Sequence, residues 1–256
     1  MPAVTVVQAS DVEPVVSPGS GLTVRSTLGN RTAFEALQQA VLECAPQEQA
    51  TVAVPDDVEE TLFVIAGRGE IELRGETHPL EPDVGVYLPP GSTATLHNTQ
   101  TVPLRLVAVR VPDPSPGPPT PANVSRLADQ AVERATTERE FRIVADPRTG
   151  LRSATHFVGY IPAERAPDHF HTYDEVIYVI EGTGMMEAGA FSQPVSAGSC
   201  IQLPARAVHC LSKSGDEPMR IVAVFRPAGS PAAAFYPDGT PAYQCNEDPL
   251  QGRSSV

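Results

Sequence analysis

The sequence T-L-F-V-I-A-G-R-G-E at Thr61–Glu70 recurs, with substitutions, as V-I-Y-V-I-E-G-T-G-M at Val176–Met185. Further along, V-Y-L-P beginning at Val86 recurs as I-Q-L-P beginning at Ile201, and both pairs of segments are 115 residues apart. Each segment is a β-branched and aromatic run that reaches a glycine or proline, which is typical of a strand followed by a turn. An internal repeat of this length predicts two copies of one small β-barrel or jelly roll.

A proline-rich segment lies between the two copies. Residues Val111–Ala122 read V-P-D-P-S-P-G-P-P-T-P-A, a composition that favours extended backbone and indicates a semi-rigid linker. We therefore expect an N-terminal barrel over residues 1–111, a linker over 112–122 and a C-terminal barrel over 123–256. Strands dominate the expected structure, with helices predicted at Thr32–Glu43, where apolar residues recur near helical spacing, and at Ala122–Glu138.

The composition excludes several classes of function. The chain of 256 residues has 31 acidic and 18 basic side chains and a net charge of −13. This charge repels phosphate backbones and anionic lipids, so we expect neither nucleic acid nor membrane partners. No Walker-type phosphate loop, Gly-x-Ser-x-Gly elbow or Gly-x-Gly-x-x-Gly fingerprint occurs. Without a C-x-x-C pair among four cysteines or a signal-peptide pattern, the expectation is a cytoplasmic protein with free thiols.

The residues that carry chemistry are concentrated in the C-terminal copy. It contains D-H-F-H-T-Y-D-E at Asp168–Glu175, followed by L-P-A-R-A-V-H ending at His209. On a strand, His169 and His171 point to one face because side chains alternate with period two. Glu175 opens the next strand on the same face as apolar residues and is expected to face the barrel interior. Three imidazoles and a carboxylate in an apolar barrel predict a divalent transition metal with open coordination positions.

These residues resemble the two motifs of the cupin family. The first motif corresponds to His169, His171, Glu175 and Gly182, and the second to Gly198, Pro204 and His209. The resemblance extends over about residues 45–109 and 142–226. It implies an all-β fold of two tandem cupin (double-stranded β-helix, or jelly-roll) barrels with a few short helices, and a metal held by His169, His171, Glu175 and His209.

The N-terminal copy has lost most of these ligands. At the same offset of 115 residues, its positions are occupied by Val54, Asp56, Glu60 and Ala94. The chain is therefore similar to bicupins with a metal site only in the C-terminal barrel. The resemblance implies one divalent ion per chain, with Mn, Fe, Ni, Co and Zn all open.

The sequence also departs from the motifs. Ala163 and Arg206 stand where glycine is usual, and Lys213 stands where asparagine is usual. These departures leave the substrate class open. A guanidinium at Arg206 suits a carboxylate or enolate oxygen, so an anionic or enolisable substrate is predicted. The other candidate substrate-binding residues are Tyr173, Gln202 and Tyr236.

Three functions are compatible with these residues. The first is a metal-dependent dioxygenase similar to quercetinase-type cupins, with O₂ as co-substrate and Glu175 doubling as a proton acceptor. The second is non-oxidative Lewis-acid chemistry, as in ureidoglycine aminohydrolases, cupin isomerases or cyclases. The third is a cupin that binds a small molecule without enzymatic activity. We place the oxidoreductase first and expect a homodimer, because small barrels expose sheet edges.

Overall fold

The computed structural model describes residues 3–29, 36–118, 120–135, 139–162, 165–216 and 218–242. Within these ranges the chain is built of β-strands, and its helical elements are two three-residue 3-10 helices, Ala9–Asp11 and Leu127–Asp129. No helix in these ranges is long and apolar enough to cross a membrane. The prediction of an all-β fold is confirmed.

The strands fall into two series. The first series is β1 Thr5–Gln8, β2 Val15–Val16, β3 Leu22–Leu28, β4 Gln38–Cys44, β5 Gln49–Ala53, β6 Val58–Ala66, β7 Gly69–Leu73, β8 Glu76–Leu80, β9 Val84–Leu88, β10 Thr93–His97 and β11 Leu104–Pro112. The second series is β12 Asn123–Arg126, β13 Glu133–Arg134, β14 Glu140–Ala145, β15 Thr155–Ile161, β16 Asp174–Glu181, β17 Thr183–Ala188, β18 Phe191–Ser196, β19 Ser199–Leu203, β20 Cys210–Ser214 and β21 Met219–Arg226.

Both helix predictions are wrong wherever the structure describes the residues. The segment Thr32–Glu43 contains β4 from Gln38 onwards, and its earlier part up to residue 35 lies outside the described residues. The segment Ala122–Glu138 contains β12, a 3-10 helix and β13, and its last three residues lie outside the described part. Strand β4 is covered on both faces, since Val41 and Leu42 belong to different cores. A strand that is covered on both faces lacks the alternation of apolar and polar residues, so its sequence cannot be told from that of a buried helix by periodicity.

The strands form a large and a small sheet in each half of the molecule. The large sheets have the orders β12-β9-β6-β11-β4-β3-β2 and β1-β19-β16-β21-β15-β14-β13. The small sheets have the orders β5-β10-β7-β8 and β18-β17-β20. An apolar core fills each half between its sheets. This is the tandem jelly-roll arrangement that the repeat predicts.

A third core lies between the two halves. Strand β6 places Leu62 and Val64 in the N-terminal core and Phe63 in the shared core. Strand β16 repeats this arrangement, with Ile177 in its own core and Val176 in the shared one. Because both faces of these strands are buried, each large sheet acts as a wall common to two cores.

The two halves exchange their first strands. Strand β1 pairs antiparallel with β19, where Thr5 is opposite Gln202, and so joins the C-terminal large sheet. Strand β12 pairs antiparallel with β9, where Asn123 is opposite Tyr87, and so joins the N-terminal large sheet. Each half therefore contributes one strand to the large sheet of the other half.

Glu59 of β6 ties the two halves together at the shared core. Its side chain is fully buried, and its carboxylate accepts hydrogen bonds from the backbone N–H of Arg152 at 2.9 Å and of Ser153 at 3.1 Å. The hydroxyl of Tyr87 donates to the same carboxylate at 3.2 Å. A buried carboxylate is stable only with such partners, so this contact fixes how the loop before β15 meets β6.

Candidate metal centre

Two short segments bring the three histidines of the sequence motifs together. The backbone N–H of His169 donates to the carbonyl of His209 at 3.1 Å, and the reverse bond measures 2.8 Å. The next residue, Phe170, pairs in the same way with Phe235 of the C-terminal tail. His169 and His209 are therefore held as an antiparallel bridge at the ends of two segments rather than within regular strands.

The imidazoles of His169, His171 and His209 form a compact group. The closest ligand atoms of the three side chains all lie within 4.8 Å of one another. The ring centroids are 4.7 to 5.2 Å apart. One ion could contact all three rings, and no other group of this kind is found in the ranges that the structure describes.

Hydrogen bonds set the tautomer of each ring. The Nδ1 atoms of His169, His171 and His209 lie 2.9, 3.0 and 2.8 Å from the backbone carbonyls of Pro167, Ala233 and Ala207. Because a carbonyl oxygen can only accept, each Nδ1 must carry the proton and donate it. In the neutral ring, Nε2 then keeps its lone pair free, as a metal ligand requires.

Burial keeps these imidazoles neutral. It lowers the pKa of His171 to about 3 and lowers the pKa of His169 and His209 as well. The neighbouring imidazoles lower the pKa of His171 and His209 further. Since only the neutral ring binds a metal, all three ligands are ready at neutral pH without losing a proton.

Glu175 faces the same cavity from β16. It is opposite Leu203 of β19, and both residues line the cavity together with the three histidines. Burial raises the pKa of Glu175 to about 8, against a lowering by the Arg139 guanidinium. The carboxylate falls outside the group of three histidine ligand atoms. A divalent cation among the histidines would favour its ionised form, so its role as a fourth ligand stays a prediction.

The donor set fits a transition metal. Three imidazoles and a nearby carboxylate match the preferences of Zn, Mn, Fe, Co and Ni, whereas Ca²⁺ and Mg²⁺ prefer oxygen ligands alone. Aromatic packing holds one ligand in place, since Tyr173 stacks on His171 at 4.7 Å and on Phe225 at 3.8 Å between ring centroids. The cavity around the ligands has a volume of about 70 Å³.

A family model for the cupin domain matches residues 40–110 and residues 156–225. The chain belongs to the cupin family. One matched segment lies in each half, and the two segments contain the repeated sequences Thr61–Glu70 and Val176–Met185. No curated protein matches this sequence.

Solved structures share the architecture of this cupin. A protein of Pseudomonas aeruginosa described as glyoxylate-induced has a TM-score of 0.75 and 20% identity, covering 87% of this chain and 88% of that one. Protein Ylba from E. coli has a TM-score of 0.74 and 14% identity, covering 87% and 90%. An oxalate decarboxylase mutant from Bacillus subtilis has a TM-score of 0.70 and 14% identity, covering 88% and 77%. At these identities the likeness establishes the fold alone.

Arg139 is a cavity residue that the sequence does not reveal. It precedes β14 and lines the cavity with the histidines and Glu175. Its Nη2 donates to the carbonyl of Leu211 at 2.5 Å, while its buried Nε has no hydrogen-bond partner. None of the ion pairs within the described residues includes it, and burial lowers its pKa. No motif contains this arginine, and only the packing of β14 beside the site brings it there.

Of the four predicted substrate residues, Arg206, Tyr173, Gln202 and Tyr236, only Tyr173 lines the cavity at the histidines. Gln202 is buried on β19, but its neighbour Leu203 occupies the cavity face, so strand alternation turns Gln202 away from the metal centre. Tyr236 is half-buried and is not among the cavity residues.

Arg206 has a different place from the one its sequence position indicates. Its side chain is exposed and does not line the cavity. Its backbone φ of 65° is in the left-handed region, and its N–H donates to the carbonyl of His171 at 2.7 Å. The residue therefore shapes the turn that leads to His209, and Arg139 is the guanidinium that the fold brings to the histidines.

The corresponding positions of the N-terminal barrel hold an ion pair. Glu60 is at the position of Glu175, and Arg110 donates from Nε to its carboxylate at 2.9 Å. Val54 and Ala94, at the positions of two histidines, are buried in the N-terminal apolar core. Neither Val54 nor Ala94 can supply a ligand atom.

Proposed function

We propose that this cupin is a metal-dependent enzyme that acts on a small organic anion in its C-terminal barrel. His169, His171 and His209 would hold one divalent ion per chain, and Glu175 would complete the ligand set. The observation that carries the proposal is the combination of three neutral, inward-facing imidazoles with an arginine at the same cavity whose buried Nε has no hydrogen-bond partner. A divalent ion bound there would supply Lewis-acid polarisation of a substrate oxygen.

The substrate charge follows from Arg139. A guanidinium beside a divalent ion is repelled by it, and within the described residues Arg139 is attracted by Glu175 but forms no ion pair with a carboxylate. A substrate anion would compensate both charges at once and would accept a hydrogen bond from the unpartnered Nε. The role of Arg139 is thus to bind and orient the anionic group of the substrate.

Glu175 is placed to handle a proton. Its carboxyl group is buried in the cavity beside the histidines, and a divalent ion there would favour the ionised form, which can accept a proton. Tyr173 keeps the ring of His171 oriented by stacking and excludes water from one side of the cavity. These roles need no residue from the N-terminal barrel.

Cavity size favours a small substrate. A volume of about 70 Å³ is far below the range of about 300–1,000 Å³ that is usual for small-molecule sites. Such a space suits a group of a few atoms and gives no support to a flavonol-sized substrate. The quercetinase-type dioxygenase therefore stays a prediction, and a short carboxylic acid is the substrate class we propose. A similar fold in a protein named oxalate decarboxylase is consistent with that class.

The experiment compares two arginine variants. Protein reloaded separately with Mn, Fe, Ni, Co and Zn is assayed with short mono-, di- and keto-carboxylates and with quercetin, in an oxygen electrode and by product analysis. Arg139→Gln should lower kcat/KM for the carboxylate by about ten- to a hundredfold at unchanged metal content, and the exposed Arg206→Gln should leave it unchanged. Turnover of quercetin with O₂ uptake and none of any carboxylate would overturn the proposal in favour of the dioxygenase.

A further inference from the structure

The N-terminal barrel contains a second cavity that the metal chemistry does not use. Its volume is about 620 Å³, within the range of small-molecule sites and far larger than the cavity at the histidines. Side chains of β3, β4, β5 and β11 and the loop between β2 and β3 line it. Leu22, Val24, Leu42 and Ala108 supply an apolar wall, and Gln38, Ser26 and Thr51 add polar groups.

At one position of the cavity wall a small residue replaces an aromatic one. In the C-terminal barrel, Phe157 of β15 is opposite Ala223 of β21 and fills the interior. In the N-terminal barrel, Ala40 of β4 is opposite Ala108 of β11 in the same register. One strand further along, Val24 replaces Phe141 but Leu42 replaces Gly159, so the side-chain volume is redistributed there rather than lost.

A charged pair replaces the aromatic residue next to the acidic position. Glu175 is opposite Phe225 in the C-terminal barrel, whereas Glu60 is opposite Arg110 in the N-terminal barrel. The side chain of Glu60 is 3% exposed and that of Arg110 is 40% exposed. Both residues line the large cavity, so the pair faces open space rather than a packed core.

The pair has donor capacity left over. Arg110 uses Nε for Glu60 at 2.9 Å, and its Nη2 donates to the carbonyl of Ala53 at 3.3 Å. A guanidinium has five N–H groups, so donors beyond these two bonds remain for a ligand, and the carboxylate of Glu60 has several acceptor sites. The side-by-side donor and acceptor are complementary to a group that carries both a carbonyl oxygen and an N–H.

We propose that the N-terminal barrel binds a small uncharged molecule with an apolar body and an amide or lactam group, held where Glu60 and Arg110 face the 620 Å³ cavity. The amide N–H would donate to Glu60, and its carbonyl would accept from Arg110. A neutral ligand is favoured because the ion pair is already neutral as a whole. A carboxylate would compete with Glu60 for Arg110 and would place two negative charges beside a single guanidinium.

The site is tested with two fluorescent probes of the same shape. The full, metal-loaded chain is titrated with 2-naphthamide and with 2-naphthoate. We expect saturable binding of 2-naphthamide and at least about tenfold weaker binding of the carboxylate. The same affinity for both probes, or no saturable binding of the amide, would overturn the proposal.

Variants locate the probe in the barrel. Ala40→Phe restores the aromatic residue of the other barrel and should abolish binding, while Val102→Phe, at an exposed position, adds the same ring without effect. Glu60→Gln combined with Arg110→Met removes the charged pair without adding volume and should weaken 2-naphthamide by about ten- to a hundredfold, whether or not Ala40→Phe folds. His171→Ala should leave the affinity unchanged. Binding that survives the double variant, or that His171→Ala abolishes, would contradict a site in this cavity.

Discussion

The buried carboxylate of Glu59 accepts a hydrogen bond from the backbone N–H of Ser153 at 3.1 Å, across the boundary between the two halves. The same carboxylate accepts from the N–H of Arg152. These bonds satisfy backbone donors that no strand pairing reaches, so Glu59 is a structural link between β6 and the segment that leads into β15.

Glu59→Ala should destabilise the whole protein. It leaves two backbone N–H groups without their acceptor and creates a cavity in a buried position, which costs about 2–5 kcal/mol of unfolding free energy. Urea unfolding measures this loss. Glu43→Ala, which removes the surface partner of Arg105, is the matched control and should cost under about 1 kcal/mol. Equal effects of the two variants would show that the link at Glu59 contributes no more than a surface ion pair.

Metal content should be one ion per chain and should depend on the three histidines. His171→Ala removes a ligand from the group and is expected to abolish tight binding while the barrel stays folded, because the apolar core around it is unchanged. Metal analysis after dialysis, with circular dichroism on the same sample, checks both statements. His97→Ala on β10 is the control and should retain the full metal content. Two tightly bound ions per wild-type chain would contradict a single site.

Acid should destabilise the protein through His156. Burial lowers the pKa of this residue from 6.5 to about 3, so the unfolded chain takes up a proton that the folded chain does not. The stability is therefore complete above pH 6.5 and falls as the pH drops towards 3, with a slope of up to about 1.4 kcal/mol per pH unit. His156→Leu should make this slope shallower between pH 6 and about 4.5, whereas His78→Leu on β8 should not. Parallel pH profiles for wild type and His156→Leu would refute the assignment.

A homodimer should form through the edge of the N-terminal large sheet. Strand β2 ends that sheet and exposes Val15 and Val16 at 62% and 70%, whereas the equivalent edge strand β13 of the other half consists of Glu133 and Arg134. Charged edges resist pairing and apolar ones permit it. Light scattering at micromolar concentration should give a dimer for the wild type and a monomer for Val16→Lys, with Arg134→Lys as the control. A wild-type monomer would contradict the prediction.

Sequence alone predicted the repeat, the strand-rich fold and the three histidines, because each depends on local spacing. The spacing of His169 and His171 and the period-two pattern of the strands are both visible in the sequence, without knowledge of tertiary contacts. The helix predicted from Thr32 failed for the opposite reason. Whether a run such as Gln38–Cys44 is a helix or a doubly covered strand depends on the second core that packs against it.

The substrate side of the site depends on packing that spacing does not encode. Arg206 is near His209 in sequence, but its turn leaves the side chain exposed, while Arg139 is thirty residues before His169 and reaches the cavity. The N-terminal cavity depends on packing in the same way. The repeat offset of 115 residues sets Ala40 against Thr155, and only the strand pairing places Ala40 at the position of Phe157.

The exchange of first strands also determines when the chain can finish folding during synthesis. Strand β1 is made first, yet its partner β19 begins 191 residues after Gln8, at Ser199. As the ribosome releases the chain from its N-terminus, residues 5–8 must wait, unpaired, until almost the whole second barrel has emerged. Strand β12 has no such delay, because its partner β9 has already left the ribosome when β12 emerges. The N-terminal sheet can therefore close before the second barrel is made, and the C-terminal sheet can close only after β19 has emerged.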